Sequence, residues 1–256
     1  MTLIIGIKCT DGIVLGADGA ATFSTMGQQT IRQPIKKKLT ILDDCVVVGI
    51  SGPVGLGQRL CGEIQKLWKE KALSGKQPYQ AMTIIRKSLW QHMADEYQAA
   101  EAARKVIGPV ALDSALASTI IALPISKAMC LFQFDQQGAP EEATTDLPFV
   151  AMGSGRNTAD PFLAFIRRIF WKDTIPNLAE GIFATLWTLD HAIKTSPGGI
   201  AEPIQIVVLK TNGSDCKAQE LNETDLQEHY EAIGAAEKSL ANFKNSEIPI
   251  KEPPQP

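Results

Sequence analysis

Thr2 is preceded only by Met1 and followed at once by the apolar run Leu3-Ile4-Ile5-Gly6-Ile7. Initiator methionine is ordinarily trimmed when the next residue is small, and trimming here would leave a threonine bearing both a hydroxyl and a free α-amine. Such an amine titrates near ~8, so much of it is unprotonated at neutral pH. It can then take the hydroxyl proton, which makes the residue a self-contained nucleophile and base. Met-Thr is a common start, so its weight depends on the residues that follow. The other reactive side chains are not grouped in this way. Cys9, Cys45, Cys61, Cys130 and Cys216 show neither C-x-x-C nor zinc spacing and read as buried, reduced thiols of a cytosolic protein. His92, His191 and His229 have no metal-partner spacing, and His92 and His191 read as helix-surface or packing residues. No metal or cofactor is expected. The stretch GPVGLGQR lacks the Lys-Ser/Thr ending of a phosphate loop, so no ATPase is expected within the chain.

The elements that must position Thr2 are legible in outline. Residues 2–8 and 13–17 are β-rich runs joined by Thr10-Asp11-Gly12, and Asp-Gly between such runs signals a hairpin. A second pair, 39–42 and 45–50, joins across Asp43-Asp44 and ends at Ser51-Gly52-Pro53. Leu56, Leu60, Ile64 and Leu67 recur at the spacing of one helical face over 54–72, and Met82, Ile85, Leu89 and Met93 do so over 78–105. Strands are expected at 117–123, 128–134 and near 148–152, with a turn at Gln136-Gln137-Gly138, then helices over 157–171 and 177–194. The last strand expected is 203–210. This order fits an α+β chain, a four-layer αββα sandwich of two antiparallel sheets between helical layers, and not a regular βαβ alternation.

With 256 residues, 45% hydrophobic and 21% charged, the chain can bury a full core. A net charge of −3 gives no footprint for nucleic acid. No apolar stretch approaches the ~18–20 residues of a membrane span, and the N-terminus lacks the pattern of a signal peptide, so a cytoplasmic protein is expected. Residues 1–210 read as the catalytic domain and 211–256 as a C-terminal extension, with an exposed amphipathic helix at about 223–244. The final IPIKEPPQP is too proline-rich for a helix or an inner strand. It reads either as a disordered tail or as an extended segment docking on a neighbouring subunit, which would cover Ile248 and Ile250.

TLIIGIKCTDGIVLGADGAAT resembles the start of a proteasome β-type subunit, including the peptidase subunit of the bacterial heat-shock ATP-dependent protease. In that family of N-terminal-nucleophile hydrolases a threonine opens the first strand and a hairpin ending in Ala-Asp follows. A lysine segment then leads into an apolar strand that ends in a small residue and glycine. All these elements occur here in order, and AMGSGRNTA resembles the family's later Gly-Ser-Gly strand end before a helix. The similarity covers residues 2–210. Within the family, the near-unprocessed start and long tail are most similar to the bacterial proteasome homologue of some proteobacteria.

The resemblance implies catalytic roles for Thr2, Asp18, Lys38, Gly52 and Ser154. Thr2 would be the nucleophile. Asp18, at the end of the hairpin's second strand, would pair with a buried lysine, and Lys38 is the one of Lys36-Lys37-Lys38 that directly precedes the apolar strand. The interval from Asp18 to Lys38 is longer than usual, which suggests an extended loop around 23–35. Lys38 would depress the Thr2 amine pKa by like-charge repulsion. The Gly52 N–H would donate to an oxyanion, and Ser154 would relay protons near the amine. Ala21, Ile50 and Val54 would surround the pocket for the side chain before the cleaved bond, and their small or apolar character predicts an apolar preference.

One family feature is missing. The loop Lys194-Thr195-Ser196-Pro197-Gly198-Gly199-Ile200-Ala201-Glu202-Pro203 offers Ser196 but no aspartate at the expected place, and Glu202 sits close to the strand. The expected function is a threonine peptidase acting on peptides or unfolded protein inside stacked homo-oligomeric rings, with unfolding supplied by a separate ATPase. Two other classes stay open: a catalytically silent ring subunit that retains Met1, and an N-terminal-nucleophile amidase acting on a small amide.

Overall fold

The computed structural model describes residues 2–25, 28–34, 37–172, 174–195, 199–212 and 215–243. β1 (Ile4–Lys8) and β2 (Gly12–Ala17) form the Asp-Gly hairpin, closed by the Cys9 N–H donating to the Gly12 carbonyl at 2.8 Å. β3 (Ala20–Thr25) and β4 (Gln28–Pro34) follow as a separate two-stranded ribbon, paired from Ala20↔Pro34 to Thr25↔Gln28 with an irregularity between Thr22 and Ser24. An extended loop was the expectation here. The segment ATFST…QQTIRQP has too few apolar residues to mark a core strand, yet its backbone groups satisfy one another by pairing.

β5 (Leu39–Leu42) and β6 (Val46–Ser51) turn through Asp43 and Asp44, both left-handed at φ 46° and 59°. Aspartate tolerates that conformation, and its twist matches the flanking strands. α1 (Val54–Lys69) and α2 (Pro78–Ile107) come next, then a 3₁₀ turn at Pro109–Ala115. β7 (Ser118–Ile125), β8 (Ala128–Phe134) and the short β9 (Pro140–Glu142) complete one sheet, and β10 (Phe149–Met152) returns to the other. α3 (Arg156–Ile166) ends in a π-helical turn at Arg167–Trp171, so the expected 157–171 helix changes pitch before its end. α4 (Leu178–Thr195), β11 (Gln205–Asn212), β12 (Asp215–Leu221) and α5 (Glu223–Phe243) follow.

Two five-stranded antiparallel sheets result, in the orders β10-β1-β2-β11-β12 and β5-β6-β7-β8-β9. Ile4, Leu15, Val47, Ile120, Leu131 and Val207 are among the buried residues between them. The opposite face of the β1 sheet, with Leu3, Ile5 and Ile7, packs on α3 and α4. The opposite face of the β6 sheet, with Val46 and Val48, packs on Leu56, Leu60, Ile64, Ile85 and Leu89 of α1 and α2. The chain is therefore the αββα sandwich that its element order implies. The inner strands read as unbroken apolar runs because both of their faces are covered.

β12 pairs with β11 in the same sheet, and Leu226 and Ile233 of α5 enter the core on the α4 side. α4 is buried on nearly every face, as a helix between a sheet and a further helix must be. The Trp187 indole N–H donates to Glu237 of α5 at 3.1 Å. Ser196 and the segment IPIKEPPQP lie outside the described residues. Among the described residues no helix is long and apolar enough to cross a membrane.

Candidate active site

Thr2 lies just before β1, beside a cavity lined by residues of both sheets. Its backbone nitrogen donates to Ser154 Oγ at 3.1 Å, while its carbonyl accepts from Ser154 Oγ at 3.4 Å and from the Gly155 N–H at 3.2 Å. The Gly-Ser-Gly turn between β10 and α3 thus grips both polar groups of the Thr2 backbone. Gly153 is left-handed at φ 91°, and a Cβ there would collide with the Thr2 carbonyl oxygen. Only glycine meets both demands.

Asp18 closes β2 one strand away. Its carboxylate is 1% exposed and is held by four donors. Oδ1 accepts from Leu3 N–H at 2.8 Å and Lys38 Nζ at 2.6 Å, and Oδ2 from Ala20 N–H at 3.0 Å and Ala201 N–H at 3.4 Å. The Asp18 N–H returns a bond to the Leu3 carbonyl at 3.1 Å. So many fixed donors leave the carboxylate a single orientation.

Lys38 arrives from the other sheet, just before β5, and its Nζ lies 3.5 Å from Thr2 Oγ1. Burial pulls its pKa below the usual 10.5 because the charged form is desolvated, and Asp18 opposes this by charge and hydrogen bond. Lys37, by contrast, is exposed and reaches Glu220 at 3.6 Å. Lys36 lies outside the described residues.

Gln205, a buried amide at the start of β11, clamps the lysine's backbone. Its Oε1 accepts from the N–H groups of Lys38 and Leu39, each at 2.9 Å, and its Nε2 donates to the Leu39 carbonyl at 3.2 Å. Sequence reasoning passed over Gln205. The available signal was one amide in the apolar strand PIQIVVLK.

A cavity of about 990 Å³ opens beside Thr2, and Gly52, Ser154, Ala21 and Val54 line it. Gly52 has φ 150°, and a Cβ would stand 2.6 Å from the Leu116 carbonyl oxygen, so this turn also excludes side chains. Ile50 is not among the lining residues. Strand alternation sends it with Val46 and Val48 to the helix-facing side, where it packs near Gly57 of α1. The cavity-facing neighbour is Ser51, and further polar residues, Ser118, Gln133 and Asp135, line the same space. The motif comparison had not picked out these four. Glu202 turns back on its own loop, its carboxylate accepting from the Ile204 N–H at 2.8 Å.

Solved structures with this fold include three Anbu proteins. A Gly-1 mutant from Hyphomicrobium sp. strain MC1 has a TM-score of 0.68 at 17% identity, covering 100% of both chains. Anbu from Yersinia bercovieri, described as an ancestral β-subunit, has 0.66 at 14% identity, covering 98% of this chain and 100% of its own. Anbu from Pseudomonas aeruginosa, solved as a helical assembly, has 0.67 at 16% identity, covering 99% and 98%. At these identities the likeness is one of fold. No curated protein matches the chain. The family model for the proteasome subunit matches residues 2–165, which is more than half of the chain and takes in Thr2, Asp18, Lys38 and Ser154. The chain belongs to the proteasome subunit family.

Proposed function

We propose that the chain is a threonine peptidase that hydrolyses peptide bonds through Thr2 once Met1 has been removed. The observation that carries this reading is the convergence of three side chains, from three segments of the chain, and a cavity around one residue. Lys38 reaches the Thr2 hydroxyl, Asp18 orients Lys38, Ser154 receives the Thr2 nitrogen, and the cavity opens on the same side. Loss of Met1 turns that nitrogen into an amine. The amine takes the hydroxyl proton, the oxygen attacks the peptide carbonyl, and the charge of Lys38 favours the developing alkoxide. The Gly52 N–H at the cavity wall would steady the oxyanion. The amine then passes its proton to the leaving nitrogen, with Ser154 beside it as relay. Water attacks the resulting ester, releasing the acyl product and restoring Thr2.

The peptidase is read as working within a homo-oligomeric enclosure, fed by a separate ATPase that unfolds substrates. Membership of the proteasome family and the helical assembly of the Pseudomonas aeruginosa Anbu support the homo-oligomeric part of this reading. Hydrolysis of a fluorogenic peptide panel by purified protein, compared with Thr2→Ala, tests the reading. Turnover abolished in Thr2→Ala supports it. Equal turnover in both proteins, or hydrolysis of small amides alone by the parent, contradicts it.

A further inference from the structure

Gln133 lies on the face of β8 that looks between the sheets, in register with Ile120 of β7. Alternation gives that face Met129 and Leu131, and its neighbours Ile120 and Ala122 are buried and apolar. Gln133 is itself only 4% exposed, yet its Oε1 has no hydrogen-bond partner among the described residues. A buried amide left unpaired is costly and rare. Gln133 is also among the residues that line the cavity beside Thr2.

Three other polar groups share that end of the sheet. Ser51 pairs in register with Ser118, and Asp135, two residues beyond Gln133 and just past the end of β8, lines the same cavity. Asp135 Oδ1 accepts from the N–H groups of Gln137 at 2.9 Å and Ala139 at 2.7 Å, which fixes the carboxylate in the β8–β9 turn. Arg156, the cation on the cavity wall, is countered by Asp160 at 2.7 Å. The residues lining the cavity therefore include one with a buried, unsatisfied carbonyl oxygen and, two positions on in sequence, one with a carboxylate, and both oxygens accept hydrogen bonds.

We infer that Gln133 is a specificity determinant and that the cavity selects peptides bearing a basic side chain, whose N–H groups satisfy Gln133 Oε1 and face Asp135. This rests on the peptidase reading and departs from the apolar preference drawn from Ala21, Ile50 and Val54. Peptide epoxyketones carrying arginine, lysine, leucine or glutamate, scanned through the positions before the warhead, test it by the rate of Thr2 adduct formation seen in intact mass. The protein, Gln133→Met and Asp135→Asn are compared, each after a thermal melt.

The basic compounds are expected to react at least tenfold faster than leucine at one position. Gln133→Met should cut that preference about fivefold or more, and Asp135→Asn should reduce the arginine and lysine rates selectively. Gln133→Met should melt no lower than the parent, since its Oε1 has no partner to lose among the described residues. A leucine preference shared by all three proteins overturns the inference and leaves the peptidase reading standing. A marked fall in the Gln133→Met melting temperature also overturns it, by showing that the amide is structural. No adduct with any compound overturns the peptidase reading itself.

Discussion

Asp18 and Lys38 form a buried ion pair at 2.6 Å that ties one sheet to the other, since Asp18 directly follows β2 and Lys38 precedes β5. The lysine side chain is only 10% exposed. The pair locks the crossing between the sheets and also sets a cation against the Thr2 hydroxyl.

Asp18→Asn removes the charge that balances Lys38 and turns an amide N–H₂ toward backbone donors. Breaking a buried pair from one side costs about 3–5 kcal/mol, and urea unfolding should show a loss of that order. Thr2 adduct formation should fall by about 10²-fold or more, because Lys38 loses its orientation.

The Lys38 pKa lies below the 10.5 of the free side chain. Between the two values the folded lysine has shed a proton that the unfolded lysine keeps. The unfolded state then binds more protons, so stability rises with pH across that window. Urea unfolding from neutral pH toward 10.5 should show the gain in the parent and its absence in Lys38→Met. Parallel curves for the two proteins would remove the buried charge from the account.

Gly153→Ala places a methyl group into the Thr2 carbonyl oxygen at a left-handed position. Backbone strain of this kind costs of order 1–3 kcal/mol, and the relief available is displacement of Thr2. Adduct formation should fall more steeply than stability, and intact mass together with a melt separates the two effects.

Gln205→Leu leaves the Lys38 and Leu39 N–H groups without the oxygen they share. Orphaned buried donors cost about 1–3 kcal/mol each, so a loss of about 2–6 kcal/mol is expected by urea unfolding, with slower labelling of Thr2. A variant as stable as the parent would show that the clamp is dispensable.

The residues of this candidate site were legible in the sequence through the family resemblance. The Asp-Gly hairpin brings Asp18 back beside the start of β1, while Lys38, directly before the apolar strand, and Ser154, within Gly-Ser-Gly, were picked out by their match to the family pattern. The helical face Leu56, Leu60, Ile64 and Leu67 is buried as its period requires. What escaped was of two kinds. β9 and β12 are short or edge strands in which Ala218 is the one buried side chain described in β12, so no apolar alternation announces them. Gln205 and Gln133 are single amides within apolar strands, and their partners lie far away in sequence or within a cavity. The third dimension alone distinguishes a backbone clamp from a group facing substrate.

The central claim is that Thr2, freed of Met1, is the nucleophile. Intact mass of protein from its native host, with and without a peptide epoxyketone, tests it most directly. The account predicts a mass lacking methionine and a single adduct, absent in Thr2→Ala. A retained methionine with no adduct under the same conditions would contradict it and point to a silent member of the family.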